Sequence, residues 1–447
     1  MRMRLPGVTL VCLLLVATVT RTGGATEAVE PAEPAGPRTT EISYYYDFVR
    51  HCAARPIARQ LDLGREVRRL SGNPRQAANV DANDQVQLPS TWWTPRLGFR
   101  PVTVDQMLRG PGPGTGPAPG KLIIERAKSQ GVTPGFFVKD SAGTAFLLKF
   151  DPTALAEMAT GADAVAACLY WAAGYNVADN AVYTFTAEDL ELSSKATVVD
   201  KKGKKRPMDR DDLMLMLEHV PRGPDGRYRS LASRLLPGRP LGPFEYTGRR
   251  GDDPEDLIPH QHRRELRGLW AIAAWTNHID VRGPNSLDMW TTENGRSFVR
   301  HYLIDFGSCL GSAATSKREA LAGTEYFLDY QVIARQIGTI GLRPFAWEHA
   351  VDPDLPSIGF IDSDTFNPGN WRPEYPNPAF DERTERDIRW GARIVAAFTD
   401  DHIRAAVARG QYSDPRAADY LTRVLIERRD KIVRRWLSDP AVTADRP

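Results

Sequence analysis

The sequence predicts an α+β protein with two lobes, in which a strand-rich lobe comes first and a helical lobe follows. Two apolar, aromatic-rich runs, "GFFVKD" (135–140) and "TAFLLKF" (144–150), are separated by a short "SAG" stretch, a pattern typical of a β-hairpin. From residue 262 onward the apolar residues recur mainly at helical spacing, and two strand-like runs interrupt them. Strands grouped in one part of a chain and helices in another favour an α+β architecture.

The other elements follow from local patterns. "YYYDFVRHCAARPIARQL" (44–61) predicts a helix, and the Ala-rich run 151–175 predicts another that ends at Gly174. "GPGPGTGPAPG" (110–120) excludes both helix and strand, so it is either a linker or an arm lying on a domain surface. The remaining predicted elements are strands at "NAVYTFT" (180–186), "DLMLMLEHV" (212–220), "NSLDMW" (285–290) and "RHYLIDF" (300–306), and amphipathic helices over 380–437.

The N-terminus has the pattern of a signal peptide. Arg2 and Arg4 precede an apolar run at 8–19, and the small residues before Thr26 predict cleavage after Ala25. The alternative is an uncleaved membrane anchor, although the run is short for a membrane span and no charged stop follows it. In either case we expect an exported protein, secreted or periplasmic.

These patterns divide the chain into five predicted segments. They are a signal peptide (1–25), a disordered linker (26–40), an N-terminal extension packing on the main domain (41–120), the strand-rich lobe (121–222) and the helical lobe (223–440). The net charge of +2 gives no indication of a nucleic-acid partner.

Three cysteines follow the leader, at positions 52, 168 and 309, too few for a disulfide scaffold and without the spacing of a zinc site. If 161–173 is one helix, Asp163 and Cys168 lie about 140° apart around its axis. A helix that turns Asp163 toward a site therefore turns Cys168 away from it. We expect free, buried thiols at Cys168 and Cys309.

The polar segment "TNHIDVRGPNSLD" (276–288) carries the residue types of a phosphoryl-transfer site. Such a site requires a carboxylate to orient a hydroxyl, oxygen ligands for Mg²⁺ and a cation for the phosphates. The candidates occur in a fixed order: Lys149 at the end of an apolar run, His278-x-Asp280-x-Arg282-x-x-Asn285, and Asp305-Phe306-Gly307. The spacing from Asp280 to Asn285 is that of the kinase catalytic loop H-R-D-x-x-x-x-N.

On these residues the chain resembles the protein-kinase-like superfamily, over about 120–320. It is most similar to the atypical branches, namely the phosphoinositide kinases, the bacterial persistence-toxin kinases and the spore-coat kinases, and it looks like a family of exported bacterial proteins with the same blocks. "HYLIDFGSCLGS" (301–312) resembles the phosphoinositide branch. "SQGVTPGFFVKD" (129–140) followed by "FLLKF" (146–150) resembles the phosphate loop and lysine strand of the toxin kinases.

The resemblance implies a protein-kinase-like fold, a role for each residue, and ATP and Mg²⁺ as cofactors. Asp280 would accept the hydroxyl proton and Arg282 would steady the transferred group, while Asn285 and Asp305 would hold the metal ion. Lys149 would bind the phosphates. The acid that pairs with it would be Asp163, with Glu157 as the alternative. Gly131 and Thr133 would supply a phosphate loop in place of the missing G-x-G-x-x-G, and no A-P-E motif is present.

We therefore expect an exported kinase-like phosphotransferase that transfers phosphate, or AMP, to an unknown protein, lipid or glycan acceptor, with possible cell-envelope association. The alternative is a catalytically silent pseudokinase that acts as a binding module in the cell envelope; a cell-wall-binding structural protein is a third, weaker reading. His278 is expected to be a structural hydrogen-bonding group. His260 and His262 are expected to be solvated, and "GDDPED" (251–256) to be an exposed acidic loop.

Overall fold

The computed structural model describes residues 36–129, 131, 133–200, 202–339, 342 and 344–438. The predicted signal peptide and the linker as far as residue 35 lie outside the described residues. The chain divides into two units, Met1–Gly36 and Pro37–Pro447, and every element below belongs to the second.

A seven-stranded sheet forms the strand-rich part and confirms the predicted α+β class. Its strands are β1 (Leu122–Ala127), β2 (Gly135–Lys139), β3 (Ala145–Lys149), β4 (Asn180–Phe185), β5 (Leu190–Val199), β6 (Lys205–Pro207) and β7 (Tyr228–Arg234). Their order is β4-β7-β3-β2-β1-β5-β6. The predicted hairpin is β2–β3, in which Gly135 pairs with Lys149. The sheet extends past residue 222, because β7 lies between β3 and β4.

A second, three-stranded sheet has the motif residues Asn285 and Asp305 next to one end of its hairpin. It contains β8 (Arg239–Gly242), β9 (Ser286–Glu293) and β10 (Arg296–Leu303), in the order β10-β9-β8. Asn294 and Gly295, both with positive φ, form the two-residue turn between β9 and β10, as such hairpins require. Because Ser286 pairs with Leu303, the residues just before β9 and just after β10 meet at the same end of the hairpin.

The helices are α1 (Tyr44–Val49), α2 (Arg55–Gln60), α3 (Leu63–Leu70), α4 (Val104–Arg109), α5 (Met158–Ala172), α6 (Arg210–Leu217), α7 (Arg264–Trp275), α8 (Tyr330–Gly338), α9 (Pro378–Asp381), α10 (Glu385–Ala396), α11 (Asp400–Ala408) and α12 (Pro415–Leu437). A π-helical turn, Arg50–Ala54, joins α1 to α2, so the predicted N-terminal helix is nearly continuous. The larger core contains residues of α5, α7, α10, α11 and α12, and the smaller core packs β1–β3 against α6. In the part of the chain that the structure describes, no helix is long and apolar enough to cross a membrane.

The run predicted as a strand at 212–220 is instead part of helix α6. The Asp209 side chain accepts a hydrogen bond from the Asp212 backbone, and the Asp212 side chain accepts one from the Asp209 backbone. This capping box starts a helix. Leu213 and Leu217, one turn apart, are then buried together. The prediction was wrong because a run with apolar residues at nearly every position is compatible with both periods.

The expectation of solvated histidines was wrong, and the acidic loop at 251–256 is exposed except at Asp253 and Asp256. His260 is buried, with its Nε2 atom 2.7 Å from Asp256 Oδ2. Asp256 in turn accepts from Arg263 Nη2 at 2.8 Å. His262 is buried between Arg75 and Arg267, at 2.9 and 2.8 Å. Polar and charged side chains can be buried where they have hydrogen-bonding partners. Some of these partners, such as Arg75, are distant in sequence, so the local pattern did not reveal them.

Candidate active site

The side chain of Lys149 lies between two carboxylates. Its Nζ atom donates to Asp163 Oδ2 at 2.6 Å and to Asp305 Oδ1 at 3.0 Å. The side chains of Lys149 and Asp163 are 14 % and 1 % exposed, whereas that of Asp305 is 60 % exposed. Three residues from separate parts of the sequence thus form one cluster that presents an open carboxylate.

The cluster is positioned by regular secondary structure. Lys149 is the last residue of β3, where it pairs with Gly135 of β2 and Leu231 of β7. Asp163 lies in α5, which is buried along nearly its whole length. Its second oxygen, Oδ1, accepts from Asn180 Nδ2 at 2.7 Å. Because both carboxylate oxygens are engaged, the side chain of Asp163 holds one orientation toward the sheet.

The pKa shifts follow this pairing. Burial would lower the pKa of Lys149, but the charges of Asp163 and Asp305 outweigh it and raise that pKa above its ordinary value. The positive charge of Lys149 lowers the pKa of Asp305. Burial raises the pKa of Asp163 against the opposing effect of Lys149. Lys149 therefore stays cationic at neutral pH, as a phosphate-binding group must.

Glu157, the other acid considered as the partner of Lys149, has different contacts. It is the N-terminal cap of α5, with φ of 70°, and its Oε2 atom accepts from the Ser413 backbone at 2.9 Å. Asp163 occupies the position beside Lys149 because α5 runs against the sheet at that point, so the shorter side chain reaches the amine.

Asp305 has a left-handed backbone, with φ 64° and ψ 56°. Asp is one of the few residues other than glycine that adopt this conformation readily. The next residue, Phe306, is buried, with its ring 4.7 Å from that of Tyr170 and 5.6 Å from that of His278. This buried ring fixes the turn after β10 and leaves the Asp305 carboxylate exposed.

Each oxygen of the Asp280 carboxylate is in contact with a neighbouring side chain. The Arg282 Nε atom is 2.6 Å from Asp280 Oδ1, and Ser308 Oγ donates to Oδ2 at 3.2 Å. The Arg282 contact lacks hydrogen-bond geometry, so among the described residues Oδ1 is a buried oxygen that accepts no hydrogen bond. Ser308, directly after Asp305-Phe306-Gly307, links the two motifs; the sequence alone did not assign it this role.

Asn285 connects the catalytic-loop motif to the strand that leads to Asp305. Its Nδ2 atom donates to the Asp280 carbonyl at 2.9 Å, and its own carbonyl accepts from the Ile304 backbone at 3.1 Å. The amide orientation leaves Oδ1 as the atom available to a cation. An amide oxygen and the exposed Asp305 carboxylate fit the oxygen ligands that Mg²⁺ prefers.

A cation at this position would be held by few protein ligands. Within the described ranges no cluster of three or more His, Cys, Asp or Glu side chains could hold a metal ion. Mg²⁺ in phosphotransferases is held by one or two carboxylates together with substrate phosphates and water. The residues present therefore fit a metal ion that binds with a nucleotide, and the ion would compete with Lys149 for Asp305.

Gly131 and Thr133 of the predicted phosphate loop lie beside Lys128, to which the sequence predicted no role. Lys128 Nζ donates to the Thr133 carbonyl at 2.8 Å and to its hydroxyl at 3.2 Å. A Cβ atom on Gly131, which has φ of 76°, would stand 2.9 Å from that amine. Burial and the nearby Lys149 lower the pKa of Lys128. The sequence signal that could have identified Lys128 is its position directly after β1 and before a glycine-containing loop.

Arg282 is engaged by more partners than the sequence indicates. Its guanidinium is 3.4 Å from Glu374 Oε2 and donates to the Tyr44 hydroxyl. Its Cζ atom is 4.2 Å from the Tyr44 ring centroid and 5.5 Å from that of Tyr375. An arginine so enclosed is a positioning group for Asp280 in this structure. Tyr44, Glu374 and Tyr375 are distant in sequence, and no local signal identifies them.

His278 is a structural group, as expected from the sequence. Its Nδ1 atom is 2.8 Å from the Tyr170 hydroxyl. Burial lowers the pKa of His278 to about 4. The imidazole is therefore neutral at physiological pH and links the catalytic loop to α5.

Comparison with known proteins gives structural neighbours only. No protein-family model matches the chain, and no curated protein matches it. The structure of the Helicobacter pylori proinflammatory kinase CtkA is similar with 12 % identity and a TM-score of 0.34, covering 69 % of this chain and 90 % of that one. A Golgi casein kinase with Mn/ADP bound is similar with 11 % identity and a TM-score of 0.28, covering 75 % and 77 %.

The same Golgi casein kinase in a second structure has 12 % identity and a TM-score of 0.27, again over 75 % and 77 % of the two chains. The proteins in all three structures are described as kinases. The scores are too low to carry an argument about function, which therefore rests on the geometry of the site.

Proposed function

We propose that the protein is a kinase-like phosphotransferase that binds Mg-ATP and transfers phosphate, or AMP, to an acceptor. The observation that carries the proposal is the cluster in which Lys149 Nζ joins the buried Asp163 to the exposed Asp305. A buried lysine held cationic beside an open carboxylate is suited to a triphosphate and its metal ion.

Each group has a separable task in this proposal. Lys149 binds nucleotide phosphates, and Asp163 fixes its position. Asp305 and Asn285 would hold Mg²⁺, which neutralises phosphate charge when bound. Lys128 adds a second amine on the side of the phosphate loop. Because these groups come from different strands and loops, nucleotide binding would couple the strand-rich part to the catalytic loop.

Asp280 orients the acceptor hydroxyl and accepts its proton. Its Oδ1 atom is buried and lies 2.6 Å from Arg282 Nε, so this ion pair would open when the acceptor hydroxyl reaches the carboxylate. Arg282 and Ser308 hold the carboxylate from two sides. In this arrangement the base is preorganised, which is how enzymes lower the cost of orienting reacting groups.

We further propose that the protein acts outside the cytoplasm, on a protein, lipid or glycan of the cell envelope. The support is the leader pattern at 1–25. N-terminal sequencing of secreted protein is expected to begin near Thr26, and an intact Met1 on cytoplasmic protein would contradict export.

A pseudokinase that binds nucleotide without transfer is the second candidate, favoured by the ion pair that closes Asp280. Incubation with α- or γ-labelled ATP and an envelope extract distinguishes the two. The proposal predicts γ-label on an acceptor, reduced by about a hundredfold or more in Asp280→Asn, which keeps the shape but loses the base. Transfer of α-label would indicate AMP. Nucleotide binding with no transfer of either label would leave the pseudokinase.

A further inference from the structure

The N-terminal extension places one tyrosine at the catalytic loop. Before it, the Thr40 backbone donates to the Leu241 carbonyl at 2.8 Å. After it, the buried Asp47 accepts a hydrogen bond from the Tyr375 hydroxyl. Between these anchors Tyr44 extends over Arg282. The segment is therefore held against the site on both sides of the tyrosine.

Close packing supports the same placement. A Cβ atom added to Gly283, inside the catalytic loop, would stand 2.9 Å from Ile42 Cδ1. The Thr40 carbonyl approaches Gly242 so closely that a Cβ there would be 1.9 Å from its oxygen. Glycines at these two positions let the extension lie directly on the backbone of the loop and of the end of β8.

A single guanidinium joins the Tyr44 hydroxyl to Asp280. Arg282 Nη2 donates to the hydroxyl, and Nε of the same side chain is 2.6 Å from Asp280 Oδ1. The neighbouring Tyr45 is 78 % exposed, and the Tyr46 ring lies 6.0 Å from the Arg50 guanidinium. Of the three consecutive tyrosines, Tyr44 is the one whose hydroxyl contacts Arg282, the partner of Asp280.

We propose that Tyr44 is a modification site of the protein itself, an acceptor that receives the γ-phosphoryl group of bound nucleoside triphosphate in cis. This inference rests on the proposed function. The Tyr44 oxygen forms a bond to the γ-phosphorus while the bond from that phosphorus to the β,γ-bridging oxygen breaks. Nucleoside diphosphate leaves, and once Arg282 moves from between the two groups the phenol proton passes to the Asp280 carboxylate and then to water.

The chemistry of the phenol is consistent with this role. Burial, with a contribution from the charge of Asp280, raises the pKa of Tyr44. The phenol is therefore protonated at neutral pH and requires a base to take its proton as the new bond forms. Because the acceptor is part of the same chain, it is delivered at a high effective concentration.

The test incubates the full chain with Mg²⁺ and γ-labelled ATP at several protein concentrations and maps the label by mass spectrometry. We expect label on Tyr44, with a fraction labelled per unit time that is independent of protein concentration. Tyr44→Phe keeps the ring over Arg282 but removes the acceptor hydroxyl. The total label on the chain should then fall by about tenfold or more, because no other acceptor has the same effective concentration. Tyr45→Phe is the matched control and should keep it.

The outcomes separate this inference from the function on which it rests. Wild-type protein that binds Mg-ATP but leaves Tyr44 unlabelled overturns the inference alone, as does a rate that rises with protein concentration. Protein that fails to bind Mg-ATP removes both. The wild-type site map decides the question even where a variant folds poorly.

Discussion

At the scale of single residues, the site is organised by one hydrogen-bond donor, Lys149, which two carboxylates share. Lys149 holds a buried acid on one side and an exposed acid on the other, so its position is fixed while the outer carboxylate stays accessible. A cation bound at Asp305 would release the lysine toward the phosphates. Recognition of a metal-nucleotide complex and reorganisation of the lysine are thus expected to occur together.

Breaking the buried ion pair is expected to be far more costly than breaking an exposed one. Asp163→Asn leaves Lys149 without its buried partner and should lower the free energy of unfolding by about 3 kcal/mol. The matched control is Glu125→Gln, since Glu125 and Lys139 form an exposed pair 3.5 Å apart. That change should cost less than about 1 kcal/mol. Equal effects in urea unfolding would contradict a buried pair at Lys149.

The neutral His278 predicts a pH dependence of stability. Its pKa is lowered by burial to about 4 in the folded state, against the ordinary value of 6.5. Between these values the unfolded chain binds more protons, so stability falls as the pH drops from 6.5 to 4. The loss reaches about 3 kcal/mol at the lower limit. The free energy of unfolding should depend less steeply on pH in His278→Gln than in the wild type over this range. Parallel pH dependences in the two proteins would refute a buried, neutral His278.

At the scale of elements, two helices cross where each has a glycine. A Cβ atom on Gly391 of α10 would stand 2.2 Å from the Gly268 carbonyl oxygen of α7. The α7 residues are buried throughout, so the neighbouring backbone has little room to move. This crossing fixes the position of α7, whose C-terminal end leads into the segment that carries Asp280.

Gly391→Ala is therefore expected to destabilise the protein by about 1–3 kcal/mol through overpacking. Gly338→Ala is the control. Gly338 ends α8, and no described heavy atom lies within 4 Å of a Cβ placed there. In that open helical position alanine should be stabilising by roughly 0.5–1 kcal/mol. Thermal unfolding of both variants measures the contrast, and a neutral Gly391→Ala would contradict the helix crossing.

The elements also show what the sequence could reveal. The β2–β3 hairpin and the strands β9 and β10 were predicted because their signals are short-range. The strand predicted at 212–220 failed because its apolar residues fit either period, and the deciding cap at Asp209 lies just before the run.

The candidate site likewise has contacts that the sequence predicted and contacts that it did not. Lys149, Asp163 and Asp305 meet as their order in the motifs indicated. The contacts of Arg282 with Tyr44 and Glu374 could not be predicted, because they join segments more than 90 residues apart in sequence. Free, buried thiols at Cys168 and Cys309 are confirmed.

At the scale of the whole molecule, the N-terminal extension is tied to several distant elements. Trp93 Nε1 donates to the Ala173 carbonyl at 2.8 Å, just beyond the end of α5. Arg59 pairs with Asp381 of α9 at 2.6 Å. The extension therefore contacts both the helix that carries Asp163 and the helical part that carries the catalytic loop.

The most direct test of the account is calorimetric titration of ATP into the wild type, Lys149→Ala and Asp305→Ala, each with and without Mg²⁺. The account predicts Mg-dependent binding by the wild type. Lys149→Ala should bind about tenfold or more weakly, because a charge-assisted contact to phosphate is lost. Asp305→Ala should lose the Mg²⁺ dependence. Equal binding by all three proteins, or no binding by the wild type, would show that this cluster is not a nucleotide site.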